Sequence, residues 1–191
     1  MTTLDALGAE AAACTACTLA ETRTTVVFGS GAADARLMFV GEAPGRDEDL
    51  AGEPFVGRAG QLLTTLIEEI GLNRSDVYIA NVLKCRPPGN RDPRPAEIDA
   101  CKGYLRSQID LIDPEVVMTL GNFATKLLLR TETGITRMRG RVYPWWRGMV
   151  VPTFHPAAVL RNPARMDEVR ADFDLARRVL SGELTRGQAR S

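Results

Sequence analysis

Short apolar runs, each followed by a segment of helical period, constrain this chain more than any other feature. Residues 35–40 (ARLMFV) form one run and stop at Gly41. Residues 77–80, 115–120 and 148–154 form three more. Between them, 61–70 is apolar at helical spacing with Gly71 as its stop, 95–112 opens on Pro95, and 122–129 and 167–180 complete the helical set. Strands that alternate with helices bury both faces only in a parallel sheet covered on two sides. The expectation is an α/β fold with three α/β/α layers around a four-stranded, mainly parallel sheet. The length of 191 residues suits one domain over 1–191. Residues 1–24 read as a short helix around a first cysteine pair, and 182–191 as a loose tail. In such folds the site lies outside the carboxyl ends of the strands. Gly41-Glu42-Ala43-Pro44, Asn81, Gly121-Asn122 and His155 all follow strand ends, so four unusual loops converge on one sheet edge.

Hydrophobic residues make up 45% of the chain and charged residues 25%, an ordinary globular composition. No apolar run approaches the ~20 residues that span a bilayer, and the first residues show no signal-peptide pattern. A cytoplasmic protein is the expectation. Net charge is zero, but it is unevenly spread. From Thr133 to Met166 there is no acidic residue, while Arg137, Arg139, Arg141, Arg147, Arg161 and Arg165 alternate with Tyr143, Trp145 and Trp146. Arginine with aromatics suits phosphate contact and base stacking. The same pattern also suits a solvated basic face balanced by Asp47-Glu48-Asp49.

The four cysteines, Cys14, Cys17, Cys85 and Cys101, start with a Cys-x-x-Cys pair, a spacing that suits a four-thiolate metal site holding zinc or an iron–sulfur centre. The Gly/Pro-rich segment from Gly41 to Gly60 (GEAPGRDEDLAGEPFVGRAG) lets backbone approach a ligand closely. It is neither a Walker loop nor a dinucleotide fingerprint, and a structural turn uses the same residues. His155, the single histidine, opens the segment HPAAVLRNP beside a basic loop.

Together these pieces resemble the family-four, iron–sulfur type uracil-DNA glycosylases over nearly the whole chain, from Cys14 to about Arg165. The matching segments, in the family's order, are the CxxC pair, GEAPGRDEDLAGEPFVGRAG, NVLKCRPPGNRDPRPAEIDAC, TLGN and HPAAVLRNP. The resemblance implies a monofunctional hydrolase of base excision repair. Phe55 would stack on an extruded uracil, Asn81 would read its edge, and Gly41 and Ala43 would line the base. His155 would donate to the uracil O2 as negative charge develops there. The loop after His155 would push into the minor groove and hold the strand open, with Val159, Leu160 and Arg161 as the candidates for the wedge. Cys14, Cys17, Cys85 and Cys101 would hold a [4Fe–4S] cluster. The partner would be uracil-containing DNA, single- or double-stranded, met by a monomer that reaches the nucleoid through that DNA.

The best-studied uracil glycosylases place a water-orienting aspartate where this chain has Ala43. Glu42 is the nearest carboxylate and the second catalytic candidate. Lys84, Lys102 and Lys126 are the only lysines, and none is read as a Schiff-base residue, so no strand-cutting step is expected. No histidine-containing insertion follows Asn81, which excludes the covalent uracil-capturing subfamily. The competing reading is a non-catalytic nucleic-acid-binding module stapled by metal.

Overall fold

The structure is a computed structural model, and it describes residues 3–185. Within them, six strands form one sheet in the order β1–β3–β2–β4–β6–β5. These are β1 (Ser30–Gly31), β2 (Leu37–Gly41), β3 (Tyr78–Asn81), β4 (Val116–Leu120), β5 (Tyr143–Trp145) and β6 (Gly148–Thr153). The four inner strands run parallel, and β1 and β5 are antiparallel edges. The helices are α1 (Leu4–Ala12), α2 (Arg46–Ala51), α3 (Arg58–Glu69), α4 (Pro95–Ile112), α5 (Asn122–Leu129), α6 (Ile135–Met138), α7 (Pro156–Arg161) and α8 (Met166–Leu180).

Alternation along each inner strand builds two cores. Leu37 and Phe39 of β2 face one core with Leu63, Leu66 and Ile67 of α3 and Phe173 of α8. Met38 and Val40 face the other, with Leu105 and Ile109 of α4 and Leu128 of α5. Three layers result, as the alternation of runs predicts. α4 begins at Pro95, where a missing N–H costs nothing, and its first turn is closed by Glu97, which accepts the Arg94 N–H at 2.9 Å. No helix among the described residues is long and apolar enough to cross a membrane.

Three expectations need correction. The sheet has six strands, not four, because β1 and β5 are too short to show a period and β5 carries Pro144 on an edge, where a ladder donor is dispensable. The first helix ends at Ala12, before the cysteines. Cys14 and Cys17 sit in the turn that follows, ahead of a 3-10 turn over Thr18–Glu21. The segment after His155 is the helix α7, not a loop: Pro156 takes its first position and His155 caps it. The tail expected over 182–191 lies outside the described residues from 186 onward. Gly182 donates to the Val179 carbonyl at 3.1 Å and Leu184 to that of Arg178 at 3.1 Å.

Candidate active site

β2 is the switch point of the sheet: the chain winds to β3 on one side and to β4 on the other. The carboxyl ends of β2 and β3 are in register, with Gly41 opposite Asn81. That pairing brings the two motifs to one point. A Cβ on Gly41 would lie 2.4 Å from Asn81 Oδ1 and 2.6 Å from Phe55 Cζ, so only glycine fits there. Asn81 is 1% exposed, and its Oδ1 is the one buried side-chain polar atom among the described residues that lacks a hydrogen-bond partner. Such an orphan costs about 1–3 kcal/mol unless something satisfies it.

Phe55 reaches this point from the loop between α2 and α3. Its backbone is left-handed, with φ at 54°, a strained conformation for an aromatic residue. Two groups hold it. Glu48 accepts N–H bonds from Gly45 at 3.1 Å, Val56 at 3.0 Å and Gly57 at 3.2 Å, tying the start of α2 and the end of the loop to one carboxylate. Gly60 lets the loop close, since a Cβ there would sit 1.7 Å from the Phe55 carbonyl oxygen. Sequence reasoning missed Glu48, although Gly45-x-x-Glu48 has the spacing of a capping box.

His155 stacks on Phe55, with ring centroids 5.6 Å apart and an interplanar angle of 28°. Its Nδ1 accepts the Ala157 N–H at 3.1 Å. The proton of the neutral ring is therefore on Nε2. Burial, aided by nearby Arg161, pushes His155 down to about 4, against a smaller upward pull from Glu48. At neutral pH the imidazole is an uncharged donor. The strand end before it is anchored by Asp172, which accepts Arg139 Nε at 2.9 Å and Thr153 Oγ1 at 2.7 Å. Phe154, between Thr153 and His155, carries the Arg165 guanidinium at 4.1 Å and that of Arg139 at 5.7 Å.

The other candidates separate. Glu42 is half-buried, and burial, with repulsion from Asp92, pushes its carboxyl up to about 7. Ala43 packs beside the second core. Asn122 is turned away and accepts the Ile135 N–H at 2.8 Å, whereas Gly121 backs His155, whose Cβ would lie 3.2 Å from a Cβ there. On α7, Val159 is in the core at 1% exposure, while Leu160 and Arg161 face solvent. The 137–147 basic stretch also divides. Arg139 serves Asp172. Arg147 pairs with Asp113 at 3.3 Å and covers Trp146 at 4.7 Å, at the β5–β6 turn on the sheet edge opposite the site.

Cys14, Cys17, Cys85 and Cys101 line one pocket together with Arg23 and Tyr104. Arg23 Nη1 donates to Cys85 Sγ at 3.4 Å, and the Lys84 N–H donates to Cys101 Sγ at 3.3 Å. Hydrogen bonds of this kind support ligating thiolates. Burial pushes the Cys85 thiol up and that of Cys101 to about 11, so both ionise readily only against a compensating positive charge, which suits a metal centre. Among the described residues no group of three or more His, Cys, Asp or Glu is disposed to hold a single ion. Lys84 is 2% exposed, and its Nζ donates to the Asn81 carbonyl at 2.8 Å and to Gln108 Oε1 at 2.6 Å.

The chain is similar to the type-4 uracil-DNA glycosylase of Archaeoglobus fulgidus, 48% identical over 181 residues that cover 91% of each chain. It is similar to that of Thermotoga maritima, 51% identical over 159 residues and 82% of each chain. With the Saccharolobus solfataricus enzyme it shares 44% identity over 192 residues, 96% of this chain and 89% of that one. The family model described as Uracil DNA glycosylase superfamily matches residues 28–179, and this chain belongs to that superfamily.

Proposed function

We infer that the protein is a uracil-DNA glycosylase of base excision repair. It rotates uracil out of DNA and hydrolyses its N-glycosidic bond, leaving an abasic site. One observation carries the reading: a phenyl ring, an orphaned carboxamide oxygen and a neutral imidazole from three distant segments meet at a glycine.

Each group answers a need of the reaction. A base inside a duplex is out of reach, and extruding it costs a few kcal/mol. Phe55 offers a face on which the flipped ring stacks, worth about 1–3 kcal/mol. Asn81 Oδ1 accepts from N3–H of uracil while its amide donates to O4. Cytosine presents an acceptor and a donor in the reverse order, so the buried amide is left unpaired and rejects it. As the bond breaks, the base gains negative charge. Nε2–H of His155 is fixed by its Nδ1 contact to point a donor at O2, worth about 3 kcal/mol. Glu42, whose carboxyl is pushed up to about 7, is the water-activating or sugar-stabilising group in place of the aspartate that this chain lacks at position 43. Leu160 and Arg161, exposed on α7, enter the minor groove, and Val159 anchors that helix to the core.

We assign the four cysteines to a [4Fe–4S] cluster. They line one pocket; four thiolates suit zinc as well as iron–sulfur, and the resemblance to the iron–sulfur type glycosylases favours the cluster. When bound, the cluster supplies no step of the hydrolysis, which moves no electron. The cysteines join the segment after α1 to the segment after β3. Residues 1–191 act as one domain, and the site needs no second copy, since all its groups come from one chain. A nucleic-acid-binding module that performs no chemistry has no use for the oriented His155.

The test is release of free uracil from oligonucleotides containing U:G, U:A or unpaired U, by anaerobically purified protein. Release with an alkali-labile strand and no nick supports the reading, and intact oligonucleotide with a loaded metal centre refutes it. Asn81→Ala should retain the fold and lose about 100-fold or more in kcat/KM on uracil. Full activity in that variant removes Asn81 from the site. Brown preparations with four irons per chain favour the cluster, and one zinc per chain refutes it.

A further inference from the structure

We propose that Lys84 is the positioning residue for the base-reading Asn81, an assignment that rests on the glycosylase reading above. Asn81 has no protein partner for its carboxamide oxygen. Its aim therefore depends on how its backbone is held. On one side Gly41 pairs with it across the β2–β3 ladder. On the other, the Asn81 carbonyl accepts Lys84 Nζ at 2.8 Å. A turn that closes through a lysine head group rather than a backbone amide is unusual chemistry for an interior, because burying an ammonium is costly.

The rest of the contact set shows how that burial is accommodated. Nζ also donates to Gln108 Oε1 at 2.6 Å. Gln108 is itself fully buried, and its Nε2 donates to the Phe28 carbonyl at 2.9 Å and to Tyr78 Oη at 3.1 Å. The Phe28 ring lies 5.8 Å from Nζ. The Lys84 carbonyl accepts the Val27 N–H at 2.8 Å. Lys84 is thus braced from α4, from β3 and from the 27–28 segment, and its head group delivers that bracing to one atom, the Asn81 carbonyl. A hydrophobic side chain of similar length does not reproduce this: the peptide plane that carries the Asn81 carbonyl is then held from one edge only, by the Val82 N–H, which donates to the Gly41 carbonyl at 3.0 Å. A displacement of about 1 Å in a reacting constellation costs up to about 100-fold in rate.

The experiment compares Lys84→Met with Gln108→Met in full-length, metal-loaded protein. Both substitutions remove one buried polar group from the same network, but only the first removes the contact to Asn81. We expect Lys84→Met to lower kcat on single-stranded uracil DNA about 10- to 100-fold with KM nearly unchanged. It should also shift the Asn81 side-chain amide resonance in 1H–15N spectra. Gln108→Met, which loosens the brace but keeps the Nζ contact, should lower Tm comparably, with a loss of kcat and a shift of that resonance well below those of Lys84→Met. Equal losses of kcat in the two variants overturn the assignment, as does an unmoved Asn81 resonance in folded Lys84→Met. Should Lys84→Met fail to fold, Lys84→Gln, whose shorter amide cannot span the gap, takes its place under the same criteria. Wild-type protein that releases no uracil counts against the glycosylase reading instead, and the Asn81 resonance then decides Lys84 by itself.

Discussion

His155 should stay neutral far below the pH at which an ordinary histidine takes up a proton, and this can be read without ambiguity because it is the chain's single histidine. Burial and Arg161 bring it from 6.5 to about 4. That gap corresponds to about 3 kcal/mol favouring the neutral ring. Above pH 6.5 the imidazole is neutral in both the folded and the unfolded chain, and its titration contributes nothing to stability. Between 6.5 and 4 the unfolded chain binds a proton that the folded chain refuses, so stability falls as pH falls, by up to about 3 kcal/mol. The contact of Nδ1 with the Ala157 N–H adds a second expectation, that the neutral ring carries its proton on Nε2. With 15N-labelled histidine, the ring resonances should show the Nε2–H tautomer at pH 7 and no midpoint above about 5. Chemical denaturation at pH 7 and pH 5 should show a larger loss of stability in the wild type than in His155→Gln. His155→Gln keeps a hydrogen-bonding amide but cannot titrate. His155→Ala should lower kcat about 100- to 1,000-fold with a smaller change in DNA affinity. A midpoint near 6.5, or a proton on Nδ1, refutes the argument that this ring is built as a neutral donor.

The same reasoning extends to three other positions. Glu42 is pushed up to about 7 mainly by burial; if its carboxylate form works, kcat rises through pH 7 in the wild type, and Glu42→Gln has a low rate with that limb absent. Gly60→Ala drives a Cβ into the Phe55 carbonyl, and should cost more than 10-fold in kcat while the circular dichroism spectrum is kept; an active variant shows that the Phe55 loop is not held as described. Leu160→Ala removes an exposed apolar side chain, so it should not lower Tm, and should slow excision from duplex more than from single-stranded DNA; equal rates on both substrates exclude Leu160 as the wedge.

Legibility followed the physics of each segment. Residues 95–112 and 122–129 match α4 and α5 at both ends, because Pro95 and Gly121 are strong local boundaries and the apolar period between them is long. The inner strands were readable as apolar runs because they are buried on both faces. β1 and β5 were not, since two or three edge residues carry no period. α7 was hidden because Pro156 and Pro163 read as loop punctuation, although proline is well placed in a helix's first turn. Gly41, Phe55, Asn81 and His155 stood out by residue type at strand ends. What the sequence hid was their support. Glu48, Asp172 and Lys84 look like ordinary charged residues, and Arg139 looked like part of a DNA-binding stretch, until the structure paired it with Asp172.

That support has a common form. Each of the three segments that meet at the site is fixed by an ionisable side chain bonded to it. Glu48 gathers the loop of Phe55, Asp172 the end of the strand before His155, and Lys84 the carbonyl of Asn81. Apolar contacts alone hold elements together but leave room for small slides. Hydrogen bonds from a charged group define both distance and direction, and they are about twice as strong as neutral ones. Burying such groups costs stability that a hydrocarbon core does not spend. Catalysis by stacking and by a single aimed donor loses rate with small misplacements. These groups, Asp172 and Lys84 buried and Glu48 partly so, therefore sit where placement, more than stability, limits the reaction, and substituting them should damage kcat out of proportion to the loss in Tm.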